Sequence, residues 1–245
     1  MDKLLYIAMT GARESSFAQA KTAHNLANAS TSGFKADLAQ FRAMPVYGEG
    51  LPSRAFAMSE RPGHSLEQGG FQTTGRDLDV SINGEGWLVT QGNDGEELLT
   101  RRGDLKISAN GALTNGINQV IMGDGGPITI PPFEKIDIAS DGTISIRPVG
   151  AQPNETAIVD RIKLVNPDPK TLQKNEQGLF KSTETDIFEN DISVSLQTGG
   201  IEGSNVKVVE ELTNMIHLSR QFEVQIKLMS SVEERGQALD RLLQP

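Results

Sequence analysis

The side chains that could do chemistry are few in this 245-residue chain, and they lie far apart. His24, His64 and His217 show no His-x-x-x-His spacing, so they do not offer the paired imidazoles of a zinc site. There is no cysteine, which excludes disulfides, thiolate metal sites and thiol catalysis and leaves the compartment open. Asp77 and Asp79 stand two apart; on one strand they would share a face and could work as paired acids. The same stretch, Gly-Arg-Asp-Leu-Asp-Val, also reads as a strand opening with solvated carboxylates, and that is the reading adopted. Gly84-Glu85-Gly86 runs on into Trp-Leu-Val instead of a helix start, so it is no phosphate cradle. The Asp-Gly pairs lack calcium-loop spacing, and no serine sits in Gly-x-Ser-x-Gly. The expectation is no catalytic, cofactor-binding or metal-ligating set, and hence no enzyme and no cofactor.

Charge and hydropathy narrow the partners. A net charge of −9 argues against nucleic acid, whose binding rests on clustered Lys and Arg. No stretch approaches the roughly 18 apolar residues of a membrane span, so no direct membrane insertion is expected. Residues 1–14 lack the apolar run and cleavage pattern of a secretory signal, so export, if it occurs, uses another route.

Glycine and proline divide the chain into elements. Residues 1–32 and 204–245 together hold only Gly11 and Gly236, while residues 69–142, an equal length, hold 14 glycines. Proline is absent from 1–44 and from 170–244, so the two ends can be long helices and the middle cannot. Near the C-terminus, Ser204 or Asn205 is the expected N-cap. A seam follows at helical spacing: Val208, Leu212, Met215, Leu218, Phe222, Ile226 and Met229. This spacing predicts a helix of about 39 residues, roughly 58 Å long at the usual rise, acting either as a coiled-coil arm or as a surface helix on its own domain. The N-terminal helix presents Leu4, Leu5, Ala8, Ala12, Ser15, Phe17, Ala18, Thr22, Leu26 and Ala29, mostly small side chains. Such a face buries little area and needs a partner helix, which small residues allow to approach closely.

The middle reads as short alternating strands punctuated by Asn83-Gly84, Asp94-Gly95, Asn110-Gly111, Asn115-Gly116 and Asp141-Gly142, the dipeptides of tight hairpins. An antiparallel barrel or sandwich is expected there. The fold class is therefore α+β: long terminal helices packed together as a coiled-coil-like domain, with a central antiparallel β barrel or sandwich. The boundaries are 1–35 for the N-terminal helix, 36–75 for an extended linker containing Pro45, Pro52 and Pro62, 76–184 for the β domain, 185–203 for a return linker and 204–245 for the C-terminal helix.

The helix end resembles a known signature. Asn25, Leu26, Ala27, Asn28, Thr31, Gly33, Phe34 and Lys35 are similar to the Asn-Leu-Ala-Asn-x-x-Thr-x-Gly-Phe-Lys segment of the bacterial flagellar rod and hook family, with His24 where Asn is usual. "TTGRDLDVSINGEGWLVTQ" and "TRRGDLKISANGALT" resemble that family's central segments, with Trp87 where Phe is commoner. The stretch "GGIEGSNVKVVEELTNMIHLSRQFEVQIK", including Ser204, Asn205 and Val206, is similar to its closing helix, with Gly200-Ile201 in place of the usual pair.

The resemblance implies a structural subunit of the proximal rod that assembles helically and transmits torque from motor to hook. A distal-rod subunit is the alternative, and a soluble β-domain binding module dimerising through its helices stands further off. The implied partners are other flagellar rod proteins, copies of itself and the flagellar type III export apparatus. The implied location is the periplasmic rod of the basal body, reached without a cleaved signal. The motif residues carry assembly in this reading: the Ala29–Lys35 break turns the chain out of an inner helical tube, with Gly33 supplying the turn and Phe34 an anchor.

Overall fold

A computed structural model describes residues 3–45, 55–59, 63–92, 94–152, 155–175, 177–185 and 187–242. The chain forms two compact units, one of Met1–Ala29, Ala36–Ser65 and Val206–Pro245, the other of Ser30–Lys35 and Leu66–Asn205.

The first unit is built on two helices, α1 over Lys3–Ala27 and α2 over Val208–Leu242. They pack against each other, and two contacts fix their sense. A Cβ built on Gly11 would lie 3.0 Å from the Gln225 side-chain nitrogen. The Asn25 Nδ2 donates to Glu211 Oε1 at 2.7 Å. Moving up α1 means moving down α2, so the pair is antiparallel. The buried line on α1 is small or polar: Ala8, Ala12, Ser15, Ala18, Thr22 and Asn25. The half-buried line on α2 is larger: Met215, Leu218, Phe222, Gln225, Met229 and Val232. Small side chains on one helix let the longer ones of the other reach its backbone, which is how a thin α1 face still finds a packing surface.

Ser204 and Asn205 do not cap α2, which begins at Val208. Asn205 is committed elsewhere: its N–H donates to Phe34 O and its Nδ2 to Glu67 O, which holds it in the β unit, three positions before the helix start. Within 36–75 the chain forms an antiparallel hairpin, Phe41–Pro45 against Ala55–Ser59, in place of the extended run expected there. Pro52 and Pro62 lie outside the described residues.

The paired strands described in the second unit are all antiparallel, with one short 3-10 turn at Pro169–Thr171. Its largest sheet has five strands in the order Leu164–Val165, Trp87–Gln91, Glu97–Thr100, Phe180–Ser182 and Leu172–Lys174. A three-stranded sheet joins Phe133–Ile138, Thr143–Pro148 and Ala157–Arg161. Smaller pairs complete it, notably Val80–Asn83 with Ser195–Thr198 and Phe71–Thr73 with Gly200–Glu202. The stretch expected as a return linker therefore carries two paired strands. The described strands form several small sheets and no closed barrel. The reason lies in the turn residues: Gly95, Gly111 and Gly142 adopt φ between +82° and +87° between strands that pair with each other, so the chain reverses after short strands, while Gly84, at φ +83°, lies between strands that pair elsewhere. At Asn115-Gly116 the positive φ falls instead on Asn118.

The core of this unit is aliphatic. Val80, Ile82, Leu105, Leu113, Ile121, Ile144, Ile162 and Leu164 belong to one buried cluster. A second cluster sets Trp87 against Phe180, ring centroids 4.6 Å apart, with Val89, Leu99, Val165 and Phe188 around them.

Candidate functional site

The segment after α1 is bound into the β unit by charge. Lys35 is 1% exposed, and its Nζ donates to Glu202 Oε1 and to Glu67 O, both at 2.7 Å. Arg101 reaches the other carboxylate oxygen, Nη1 to Glu202 Oε2 at 3.0 Å, and donates from Nη2 to Gly84 O at 2.8 Å. The Gly69 N–H adds a third donor to Glu202, reaching Oε1 at 2.9 Å. One carboxylate thus serves two cations and a backbone amide, which is what a charge removed from water requires. Burial pulls the Lys35 amine below its usual 10.5; Glu202 opposes that shift and Arg101 adds to it. The Arg101 guanidinium also lies 5.4 Å from the Trp87 ring centroid, tying the charges to the aromatic cluster.

Gly33 makes this turn possible. It adopts φ +65°, and a Cβ there would fall 2.4 Å from the Arg101 carbonyl carbon, a clash with backbone that no rotamer relieves. Its N–H donates to Glu202 O at 2.8 Å. Phe34 is buried under Lys174, whose Nζ sits 4.0 Å from the ring centroid and donates to Lys35 O at 2.8 Å. Residues 33–35 therefore run beside residues 202–205, joined by backbone bonds at both ends.

The end of α1 has its own network, inside the helical unit. Asn25 Nδ2 donates to Asp37 O at 3.0 Å while the Asp37 N–H donates to Asn25 Oδ1 at 2.9 Å, a reciprocal pair that folds the 36–38 segment onto the helix. His24 Nδ1 lies 3.0 Å from Asp37 Oδ2, and His64 Nδ1 lies 3.0 Å from Asp37 Oδ1. Two histidines distant in sequence thus meet at one carboxylate, as hydrogen-bond or ion-pair partners. Among the described residues, no group of three His, Cys, Asp or Glu is arranged to hold a metal ion.

Comparison with known proteins decides the family. The profile described as "Flagellar hook protein FlgE/F/G D1 domain" matches residues 81–146, and "Flagellar basal body rod FlgEFG protein C-terminal" matches residues 197–242. The flagellar basal-body rod protein FlgF of Salmonella typhimurium is 43% identical over 249 residues, covering 99% of both chains. The FlgF of Escherichia coli is 40% identical with the same coverage. The FlgG of Buchnera aphidicola subsp. Schizaphis graminum is 30% identical over 97% of this chain and 98% of its own. The chain belongs to the flagellar basal-body rod protein family.

In this rod-family protein the helix-end signature is divided between the two units. Asn25, Leu26, Ala27 and Asn28 lie in the helical unit, where Asn28 Nδ2 donates to His24 O and Asn25 joins Asp37 and Glu211. Thr31, Gly33, Phe34 and Lys35 lie in the β unit with Ser204 and Asn205, and Val206 begins the stretch that leads into α2. The seam residues Met215, Leu218, Phe222 and Met229 are half-buried, whereas Val208, Leu212 and Ile226 are 43–44% exposed. Gln225 holds the α1-facing place beside Ile226.

The Asp pair needs a correction. Asp77 is exposed, but Asp79 is 2% exposed and is not a solvated carboxylate. It accepts from Thr74 Oγ1 at 2.6 Å and pairs with Arg76 at 3.5 Å. Asp77 sits in the turn before the strand, so the two side chains do not share a strand face.

Glu202 and Arg101, the hub of the rod protein's buried charges, escape a motif search. The available signal is strand alternation: Gly200 and Glu202 are the inward positions of a three-residue strand whose middle residue, Ile201, is less buried. An acidic side chain at an inward position needs buried cations, and Lys35 and Arg101 supply them.

Proposed function

We propose that this chain is a structural subunit of the proximal rod of the flagellar basal body, assembling helically with copies of itself and with other rod proteins to transmit torque from motor to hook. The observation that carries this reading is the end-to-end similarity to FlgF proteins, 99% of both chains at 43% identity. It is a structural protein and not an enzyme, as the family is. A distal-rod role is the second reading, favoured by FlgG relatives at 30% identity.

The helical unit supports the assembly role. Outside the α1–α2 seam, large apolar side chains face solvent: Tyr6 is 66% exposed, Met9 and Phe17 55%, Val209 78%, Ile216 55% and Val224 54%. Soluble monomers rarely leave so much apolar area uncovered, and contact with neighbouring subunits would bury it. In this reading residues 1–35 and 204–245 pack as coiled-coil-like walls of the axial layer, 36–75 and 185–203 are the connecting segments, and 76–184 is the β domain. The signature residues Asn25–Lys35 and Ser204–Val206 set the passage between the two. Export through the flagellar type III apparatus without a cleaved signal would deliver the protein to a periplasmic rod.

The test is a strain lacking the protein's own gene, complemented with it and imaged as intact basal bodies. Restored motility with density for both helices in the proximal rod supports the reading. Density confined to the distal rod favours the second, and motile cells without the protein refute both.

A further inference from the structure

Three Asn-Gly steps lie in the β unit, and the fold treats them very differently. Asn115 is fully buried, its Oδ1 accepts from the N–H groups of Ile117 and Gln119, and its Nδ2 donates to Gln119 Oε1. Asn110 Oδ1 accepts from Ser108 Oγ, and the Gly111 N–H is held by Ser108 O at 2.9 Å. A Cβ at Gly111 or Gly116 would also press on Ile130 O or on the Asp104 carboxylate, so there is little room beside either glycine. Asn83 is exposed, and its side chain makes no hydrogen bond among the described residues. The Gly84 N–H likewise has no acceptor among the described residues, and a Cβ built on Gly84 would meet nothing within 4 Å.

We propose that Asn83–Gly84 is a site of spontaneous deamidation and isoaspartate formation, selected by the fold from three chemically equivalent steps. The Gly84 amide nitrogen, losing its proton, attacks Asn83 Cγ; the new bond to Cγ closes a succinimide as the bond between Cγ and Nδ2 breaks and ammonia leaves. Water then adds to either imide carbonyl and opens the ring, giving aspartate or isoaspartate. Nothing is oxidised or reduced, and the net change is water in and ammonia out. A glycine on the C-terminal side gives its nitrogen the least steric hindrance. Here no bond holds that nitrogen away and no side chain fills the space the ring would occupy. Formation of isoaspartate also lengthens the backbone by one carbon next to Gly84, whose carbonyl is the acceptor for Arg101 in the buried charge network. The product would thus loosen one of the anchors of Arg101.

The experiment incubates the folded full-length protein in mildly alkaline buffer and follows the peptides containing Asn83, Asn110 and Asn115 by mass spectrometry, with isoaspartyl methyltransferase labelling as a second readout. Parallel samples are kept in urea. The expected result is conversion of Asn83 several-fold faster than the other two in the folded protein, with the three rates converging in urea. Asn83→Gln should remove most of the methyl label from the folded sample. Equal folded rates at the three steps, faster conversion at Asn110 or Asn115, or methyl labelling unchanged in Asn83→Gln would each overturn the proposal.

Discussion

The Lys35 Nζ and the Glu202 Oε1 lie 2.7 Å apart with side chains 0% and 1% exposed, although 167 positions separate them in sequence. Glu202 is the shared partner, so its loss should matter most. Glu202→Ala would leave Lys35 and Arg101 as buried cations without a carboxylate, at a cost of about 3–5 kcal/mol. Lys35→Met keeps the Arg101–Glu202 pair and should cost clearly less. Urea unfolding followed at the single tryptophan, Trp87, measures both. Equal losses for the two variants would show that the carboxylate is not the hub.

The depressed Lys35 amine has a signature in pH. Between its lowered folded value and the ordinary 10.5, the unfolded chain binds a proton that the folded chain has released. Stability therefore rises with pH through that window and is flat below it, relative to a variant without the amine. Comparing wild type with Lys35→Met across mildly to strongly alkaline pH isolates this contribution. A difference that falls as pH rises would contradict the direction of the shift.

Gly11 lies where α1 and α2 come close, but the nearest group is the end of the flexible Gln225 side chain. Gly11→Ala should be tolerated and can stabilise α1 by up to about 1 kcal/mol, because alanine is the better helix former. Gly11→Leu should force the helices apart and lower the thermal transition of the helical circular dichroism signal. Equal melting of the two variants would mean that α2 does not pack at this position.

Phe222 is half-buried on the α1-facing line of α2. In the isolated protein Phe222→Ala should therefore cost well below the roughly 3–5 kcal/mol of a fully buried phenylalanine, and the Trp87-monitored transition should not move. In cells the same variant should reduce swarming in soft agar, because packed neighbours would complete the burial. Normal swarming would remove Phe222 from the assembly contacts.

Asp77 and Asp79 should part company. Asp77→Asn is expected to be silent, whereas Asp79→Asn weakens the acceptor for Thr74 and the pair with Arg76 in a buried setting, costing about 1–3 kcal/mol. Thermal melting of the two single variants checks this, and two silent variants would show that Asp79 tolerates loss of its charge.

Long-range periodicity made much of this fold legible. Glycine-poor, proline-free ends announced α1 and α2, and the Asn-Gly and Asp-Gly pairs marked real reversals at Gly95, Gly111 and Gly142, whereas the strands on either side of Gly84 pair elsewhere. What stayed hidden depended on partners distant in sequence. Ile226 has the right spacing for the seam, yet Gln225 faces α1, because a slight drift in helix phase decides between neighbours. Asp79 looked solvated because its backbone is covered by partners far along the chain, with a bridge to Asp104 and the Gly199 N–H donating to its carbonyl. The expected cap at Asn205 failed for a similar reason: Phe34 and Glu67, far upstream, bind Asn205 three positions before α2 begins.

The helix pairing has a consequence for how the protein tolerates changes in length. From Gly11 to Asn25 along α1 is the same number of residues as from Gln225 back to Glu211 along α2, two full heptads, so both contacts belong to one alignment. A short insertion or deletion between them in either helix would rotate the small-residue line of α1 away from Phe222 and Gln225 and part Asn25 from Glu211. Only paired changes of whole heptads, one in each helix, keep both contacts. The two ends of the polypeptide are in this respect a single gauge: neither can be cut to a new size without recutting the other.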